Sequence, residues 1–551
     1  MKKPRLINKI KNTQKKPVKT LPTSNILNWK CFSVAILTFL CLCVISMRLY
    51  TYNEPFERDI TSHAVIAHEM LQGRPLYSDL WDSKPPAIFV TYAISEILFG
   101  YGPIEVFFIG IISAIITMIG VYYAAKKISG TAAGLWAAAL WAFICSDLWL
   151  WANQPNIEVG INASLVWAFV LMLGADSTKL QPGRWISVGL LFALATLYKP
   201  VAITFAVLLA GAYVIINLSD KQKRKMAILH FCIIGAAAAA VWFSVLGYFA
   251  ATGRFQIFYD TMVTYGQYYT KSRGQSLGQN IIEGLTTKRL FPHAVKSTAV
   301  LSVLALIGII AGLWKGCRGK WALVAVMLIA GHLAVTLPGR FYNHYYQLWL
   351  VGLTVAAGSA LAMKTAKEKQ IPLWVTNTVG SVALIILLIM VLPQYKLSPD
   401  MWSANKQGPQ YIITKQIAAE LDKLLENDET LYVWGINPSL YFWTKRPVPT
   451  GVIWATDMIT SPGAKVENPL AKQHTERALH DLEKAKPEII AINLQHVQRP
   501  QDHPVVIWMM QNYAQMPGQS QIGLLNQRPF FYIMVRKDGQ LIKRLNTQKQ
   551  S

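Results

Sequence analysis

Between residues 31 and 392 the chain alternates long apolar runs with short polar ones, and this rhythm predicts its architecture. Runs at 31–50, 104–124, 131–151, 159–175, 185–198, 201–218, 227–250, 296–314, 321–337, 346–363 and 372–392 predict about eleven membrane-crossing helices. The segment Ala87 to Gly100 is equally apolar. At about fourteen residues it would reach only ~21 Å as a helix, against a ~30 Å hydrocarbon core. It is expected to be interfacial or re-entrant rather than spanning. Ahead of it, Ile60, Ala64, Ala67 and Leu71 line one side of an amphipathic helix that the turn signal Gly73-Arg74-Pro75 ends. After Leu392 the pattern changes: Ile413, Ile417, Leu421 and Leu424/Leu425 form a helical stripe, followed by a strand-like run from Leu431 to Gly435. A second helix and strand are expected at 474–485 and Glu488 to Asn493, with another buried run at Phe530 to Val535. Helices alternating with short buried strands predict a small α/β domain.

The expected organisation is a basic tail (1–30), a transmembrane domain (31–393) with a large loop at 51–103, and a soluble domain (394–551). Composition agrees, with 53% hydrophobic and only 15% charged residues. The net charge of +24 sits in the N-terminal tail (Lys2, Lys3, Arg5, Lys9, Lys11, Lys15, Lys16, Lys19) and in clusters between spans. These are Lys126/Lys127, Lys179/Arg184, Lys221 to Lys225, Lys315 to Lys320 and Lys364 to Lys369. Without interleaved aromatics they argue for the positive-inside rule and anionic headgroups, not for nucleic acid. If all face the cytoplasm, eleven spans leave the N-terminus inside and the C-terminal domain outside. The long basic N-terminus and the lack of a small-x-small cleavage site favour a retained first span over a signal peptide. Six cysteines, none after residue 317, offer neither disulfides outside nor metal-ligand spacing.

That topology gathers the chemically interesting residues on the outer face. The first loop carries Glu57-Arg58-Asp59, then Tyr77, Asp79, Asp82 and Lys84-Pro85-Pro86. Paired prolines stiffen the backbone and would fix Lys84 at the bilayer surface, suiting a phosphate. Asp59 suits a general base. A solvated acidic loop is the plainer alternative. Asn156 and Glu158 precede an apolar span, where a carboxylate is costly unless paired, solvated or functional; a helix cap is the alternative. Lys199, at the tip of a hairpin, either snorkels or meets an anionic lipid headgroup. Arg340, His344, Tyr345 and Tyr346 combine a phosphate clamp with an aromatic platform, although aromatics are common at any membrane boundary. Cations to hold a phosphate leaving group and a carboxylate to deprotonate an acceptor are what transfer from a lipid phosphate requires.

At these residues the chain resembles the GT-C glycosyltransferases, specifically the bacterial relatives of protein O-mannosyltransferases and lipid A aminoarabinose transferases. The resemblance covers about residues 30–390. It rests on Glu57-Arg58-Asp59, Gly73-Arg-Pro-Leu-Tyr77, Asp82-Ser-Lys84-Pro-Pro86, Asn156-Ile-Glu158, Lys199 and Arg340-Phe-Tyr-Asn-His344-Tyr345-Tyr346, in that order. It implies a GT-C-like fold and inverting sugar transfer from a polyprenyl-phosphate donor to a protein, lipid or glycan acceptor outside the cytoplasm, at a bacterial inner membrane. By carry-over Asp59 is the base, with Glu57 and Glu158 as further acids, and Lys84, Lys199 and Arg340 bind donor phosphate. Tyr77, Asp82, Asn156, His344 and Tyr345 belong to the substrate site. Many relatives carry two adjacent acids where Asp59 is followed by Ile60, so Glu57 is a candidate for the second. No cofactor is required; the carboxylates could hold Mg²⁺, but the implied lysine and arginine clamp makes a metal unnecessary. A transporter or flippase of lipid-linked glycan is the alternative from another class; it should show internal repeats and midplane ionisable residues. An enzyme using a diphosphate-linked glycan, or a catalytically dead scaffold, are further alternatives.

Overall fold

The computed structural model describes residues 23–314, 318–363, 372–461, 463–494, 501–518, 521–525 and 528–550. The basic tail up to Lys19, the Lys364 to Lys369 cluster, Lys315 and Cys317 lie outside the described residues. The first half of the molecule is helical: α1 (Thr23–Tyr50), α2 (Arg58–Leu71), α3 (Ala87–Phe99), α4 (Pro103–Ser129), α5 (Thr131–Ile144), α6 (Ile157–Leu173), α7 (Pro182–Tyr198), α8 (Ile203–Ile216) and α9 (Lys221–Ala251). A polar excursion follows, with α10 (Phe255–Tyr259), a π-helical turn (Asp260–Tyr265), α11 (Gly266–Lys271), α12 (Leu277–Gly284) and α13 (Thr287–Lys296). Apolar helices then resume as α14 (Ala299–Trp314), α15 (Arg318–Thr336), α16 (Leu350–Leu361) and α17 (Leu373–Val391).

Among the described residues five helical segments are long and apolar enough to cross a membrane: Cys31–Tyr50, Pro103–Ser129, Lys221–Ala251, Arg318–Thr336 and Trp374–Lys396. Ala87–Phe99, Thr131–Ile144, Ile157–Leu173, Pro200–Ile216 and Ala299–Trp314 are shorter apolar helices. Two expected spans are cut short for physical reasons. α5 stops at Ile144 because Asp147 folds the chain back, its Oδ1 accepting from Leu150 N (2.8 Å) and its carbonyl from Ala152 N (2.9 Å). The run 346–363 opens as a 3₁₀ segment, Asn343–Trp349, and becomes α-helical only at Leu350. α3 has 13 residues and packs against α2, α4 and α7.

The C-terminal region begins with α18 (Pro399–Gln407) and α19 (Gln410–Leu424), then β1 (Leu431–Trp434), α20 (Ser439–Thr444), α21 (Ala471–Ala485) and β2 (Ile489–Asn493). It ends with α22 (Pro504–Asn512), β3 (Tyr513–Gln515), β4 (Gln521–Leu525), β5 (Arg528–Arg536) and α23 (Gln540–Gln550). The sheet is mixed: β1 runs parallel to β2 with Leu431 opposite Ile489, and β2 runs antiparallel to β5 with Ala491 opposite Ile533. β3 and β4 both pair with β5. Side chains alternate between the two faces, as strand geometry requires. Leu431 and Val433 join the large apolar cluster that also holds Phe56, Ile60 and the helical bundle. Tyr432 and Trp434 face a second cluster with Ala478 and Leu482 of α21.

This region is therefore packed into the first loop rather than appended to it. Arg74 bridges Glu69 (2.8 Å) and Asp79 (2.8 Å) while Nη1 donates to Val448 O (2.9 Å). Arg477 of α21 also pairs with Asp79 (2.9 Å). Lys406 of α18 donates to Asn153 Oδ1 (2.9 Å) and pairs with Glu54, both ionic side chains fully buried. Asn153 in turn donates to Glu54 Oε2 (2.6 Å). Three segments far apart in sequence thus meet in one dry polar knot. Removing one partner of such a pair strands the other, at a cost of about 3 kcal/mol or more. Lys406→Met is expected to lower the thermal unfolding midpoint of the detergent-solubilised protein sharply. The double change Lys406→Met with Glu54→Gln is expected to recover part of the loss, as measured by differential scanning fluorimetry.

Candidate active site

The site grows from the start of α2. Glu57 is its N-cap, extended in φ/ψ, and its Oε2 accepts from Asp59 N (2.8 Å). Capping satisfies a helix-end donor and fixes where the first turn points. Glu57 is itself held by Gln154 Oε1, which accepts from Glu57 N (3.2 Å). Asp59 therefore stands in the first turn with a defined direction, and its side chain is only partly covered.

Lys84 approaches from the end of the same loop. Its ammonium pairs with Asp82 (3.1 Å), and its backbone N–H donates to Asp82 Oδ1 (3.2 Å). Ser62 Oγ donates to the other Asp82 oxygen (3.3 Å), and the Tyr77 hydroxyl donates to the Lys84 carbonyl (2.7 Å). Tyr77 is fully buried with a left-handed φ of 67°, so it supports the loop rather than opening onto the site. Burial opposes the charge of Asp59, but Lys84 and then Arg58 outweigh it and hold the carboxyl well below the usual aspartate range. Burial likewise opposes the Lys84 charge, and Asp82 and Asp59 hold it above the ordinary lysine value. Glu57 behaves oppositely: burial first, then the Asp59 charge, push it up to about 8. The two acids of Glu57-Arg58-Asp59 are thus separated into a proton-carrying cap and an ionised carboxylate.

A second ion pair closes the site. Glu158, in the first turn of α6, pairs with Lys199 (3.0 Å) at the end of α7. The Lys199 ammonium also lies 3.2 Å from the ring centroid of Tyr345, a close cation–π contact. Asn156 is the N-cap of α6, its Oδ1 accepting from Ile157 N (2.7 Å), which aims Glu158 inward. His344 stacks between Trp151 and Tyr342 (ring centroids 5.4 and 5.8 Å away) and meets Tyr345 edge-on (4.8 Å).

Arg340 reaches the cluster through an intermediary. Its Nη2 donates to Tyr269 O (2.9 Å) and Ser272 Oγ (2.7 Å), and its guanidinium lies 4.3 Å from the Tyr269 ring. The Tyr269 hydroxyl lies near that of Tyr345. The turn presenting Arg340 needs left-handed backbone at Gly339 (φ 65°) and Phe341 (φ 52°). A Cβ at Gly339 would also collide with Asn280, whose Nδ2 donates to Leu337 O (3.1 Å).

Asp59, Lys84, Asp82, Glu158, Lys199, His344 and Tyr345 are therefore brought together, with Arg340 at the edge. Glu57, Asn156 and Tyr77 shape the elements that carry them. Sequence reasoning missed Tyr269, which belongs to an excursion with no motif, and His63, which reads as one more position in an amphipathic helix. It also missed Asp457, a fully buried acid from the C-terminal region that accepts from Tyr265 OH (3.2 Å). Burial and then Asp82 raise its carboxyl well above the usual range.

The family described as dolichyl-phosphate-mannose-protein mannosyltransferase matches residues 83–248. Among curated proteins no sequence matches the chain. Among solved structures, ArnT from Cupriavidus metallidurans bound to undecaprenyl phosphate superimposes with a TM-score of 0.60 at 13% identity, over 93% of this chain and 99% of ArnT. Its apo form gives 0.59 at 12% identity, over 93% and 98%. The archaeal oligosaccharyltransferase AglB from Archaeoglobus fulgidus, in complex with an inhibitory peptide and a dolichol-phosphate, gives 0.52 at 13% identity, over 84% of this chain and 69% of AglB. The chain is a multi-pass membrane protein with an ArnT-like fold, and its residues 83–248 match the family described as dolichyl-phosphate-mannose-protein mannosyltransferase.

Proposed function

We propose that the chain transfers a sugar, with inversion, from a polyprenyl monophosphate to an acceptor hydroxyl or amine at the outer face of a bacterial inner membrane. The observation that carries this reading is the ionised Asp59 carboxylate beside Lys84, facing a second, aromatic-capped cation at Lys199. Asp59 takes the acceptor proton while the acceptor attacks the anomeric carbon. The carbon–oxygen bond to phosphate breaks on the opposite face, and the electron pair stays with the phosphate. Lys84, Lys199 and Arg340 stabilise that growing charge, a preorganised electrostatic arrangement that needs no metal in this reading. Tyr345, His344 and Asp82 line the space for the sugar and acceptor. The structural relatives support the donor class, since ArnT is seen with undecaprenyl phosphate and AglB with dolichol-phosphate. The outer-face assignment rests on the positive-inside pattern of the basic turns, and contacts between these segments agree with their lying at one end of the bundle. Lys320 donates to Lys127 O, and His230 contacts Lys179 O (3.0 Å).

The decisive test follows label leaving radiolabelled polyprenyl-phosphate sugars in nanodiscs containing membrane extract as acceptor source. Asp59→Asn is expected to reduce transfer by roughly 10²–10⁴-fold while the protein stays folded. Glu57→Gln keeps the capping oxygen and is expected to cost only a few-fold. Equal losses in the two variants would remove Asp59 from the role of base.

The pH profile separates the two acids again. With its folded pKa depressed, Asp59 remains a carboxylate from pH 8 down to pH 5, so its own titration causes no loss of transfer in that interval. Glu57 titrates near 8. A limb close to pH 8 in the wild-type rate profile is expected, and it should vanish in Glu57→Gln. The linked stability has the opposite sign for the two groups. Asp59 contributes stability above its unfolded value that is lost as pH falls. Glu57 contributes stability below its unfolded value that is lost as pH rises towards 8. Urea or thermal midpoints measured between pH 5 and 8.5 should therefore decline at the alkaline end less in Glu57→Gln than in the wild type.

A further inference from the structure

His63 has no role in the chemistry above, yet it lies at the centre of the site. It follows Asp59 by four residues on α2, so the two side chains share one face about 6 Å apart along the axis. The imidazole is fully buried against Phe89 and Tyr92 of α3, each ring centroid 5.8 Å away. Among the described residues neither of its ring nitrogens has a hydrogen-bond partner. Burying both without partners is unfavourable, and buried polar groups in folded proteins are rarely left so. The charged groups that face it are Lys84, Asp82, Asp59 and Glu158, which come from α2, the loop before α3 and the start of α6. Other unpartnered buried atoms belong to the same cluster: Glu158 Oε2 and His344 Nδ1. A ring held on two sides by aromatics, with free nitrogens beside a fixed ammonium, is built for a ligand rather than for packing alone.

We infer that His63 is a substrate-binding residue of this site, its imidazole N–H donating a hydrogen bond to a phosphoryl oxygen of the lipid phosphate that Lys84 holds. The inference rests on the donor class proposed above. Burial and then the Lys84 charge lower the imidazole to about 4, against the pull of Asp82, Asp59 and Glu158, so the ring is uncharged at neutral pH. A neutral imidazole offers one N–H donor and one acceptor. The donor serves the phosphate, and the remaining lone pair accepts from a sugar hydroxyl. A cationic histidine here would compete with Lys84 for the same oxygen; a neutral one adds a direction without adding repulsion.

The test uses the full chain in nanodiscs, with undecaprenyl monophosphate as the probe and binding read by microscale thermophoresis. His63→Phe preserves the packing against Phe89 and Tyr92 and is expected to weaken binding about tenfold, with an unchanged thermal midpoint in nanodiscs without undecaprenyl monophosphate. His63→Gln, which keeps an N–H donor, is expected to stay within a few-fold of wild type. His63→Leu provides a second apolar variant should the phenylalanine disturb folding. The stabilisation that the lipid gives to the wild-type midpoint should shrink in Phe and Leu but persist in Gln. Wild-type affinity in folded His63→Phe and His63→Leu would overturn the inference alone. Absence of binding by the wild type would overturn it together with the donor class.

Discussion

A carboxylate withdrawn from bulk water stays ionised only while cations stand close to it, and that requirement organises the loop-bearing end of this protein. Asp59 meets it through Lys84, and Lys84 is in turn fixed by Asp82, by the Tyr77 hydroxyl and by the prolines that follow. Glu158 meets the same requirement through Lys199, whose other side is covered by Tyr345. Each charge is compensated by a residue from a different element. The helices cannot shift independently without exposing an uncompensated charge to a low-dielectric surrounding, where electrostatic errors are expensive. The proposed chemistry uses the same arrangement: cations that balance carboxylates before substrate arrives are already in place when negative charge develops on phosphate.

Glu57 shows how one short motif divides its labour. Two acids separated by a single arginine look interchangeable as a string of letters. The fold assigns one to the backbone of a helix end and leaves the other to the site, and burial then drives their protonation apart. Asn156 repeats the device at α6, where the cap aims Glu158. In both places the residue that looks chemical by composition is structural by geometry, and its neighbour carries the charge inward.

Much of this was legible beforehand because it is local. The amphipathic stripe at 60–71, the short apolar helix after Pro86 and the helix and strand runs at 412–425, 431–435 and 488–493 appear as α2, α3, α19, β1 and β2. The order of acids and cations pointed to one surface, since loop charge and span length are written in sequence. What escaped depends on contacts between distant segments. Lys406 reads as an ordinary surface lysine of a polar helix, and only the fold buries it against Glu54. Tyr269 has no neighbours that advertise it, and Asp457 becomes unusual only beneath Asp82 and Tyr265. Asp147 ends α5 seven residues before the apolar run does, because its side chain captures a backbone donor that hydropathy does not register.

The packing of the C-terminal region into the first loop has a consequence for biosynthesis. Glu69 Oε1 accepts from Val448 N (3.0 Å), a contact between residues 379 positions apart. At ~5–20 residues per second, roughly 20–80 s of translation separate the two partners. Throughout that interval the loop bearing Asp59 and Lys84 has been made but lacks the surfaces that hold it, while its apolar face is open to chaperones and to the bilayer. The ribosome therefore finishes the helical bundle before the loop bearing Asp59 and Lys84 can settle. A chain released before Val448 is made lacks the contacts that tie this loop to the C-terminal region.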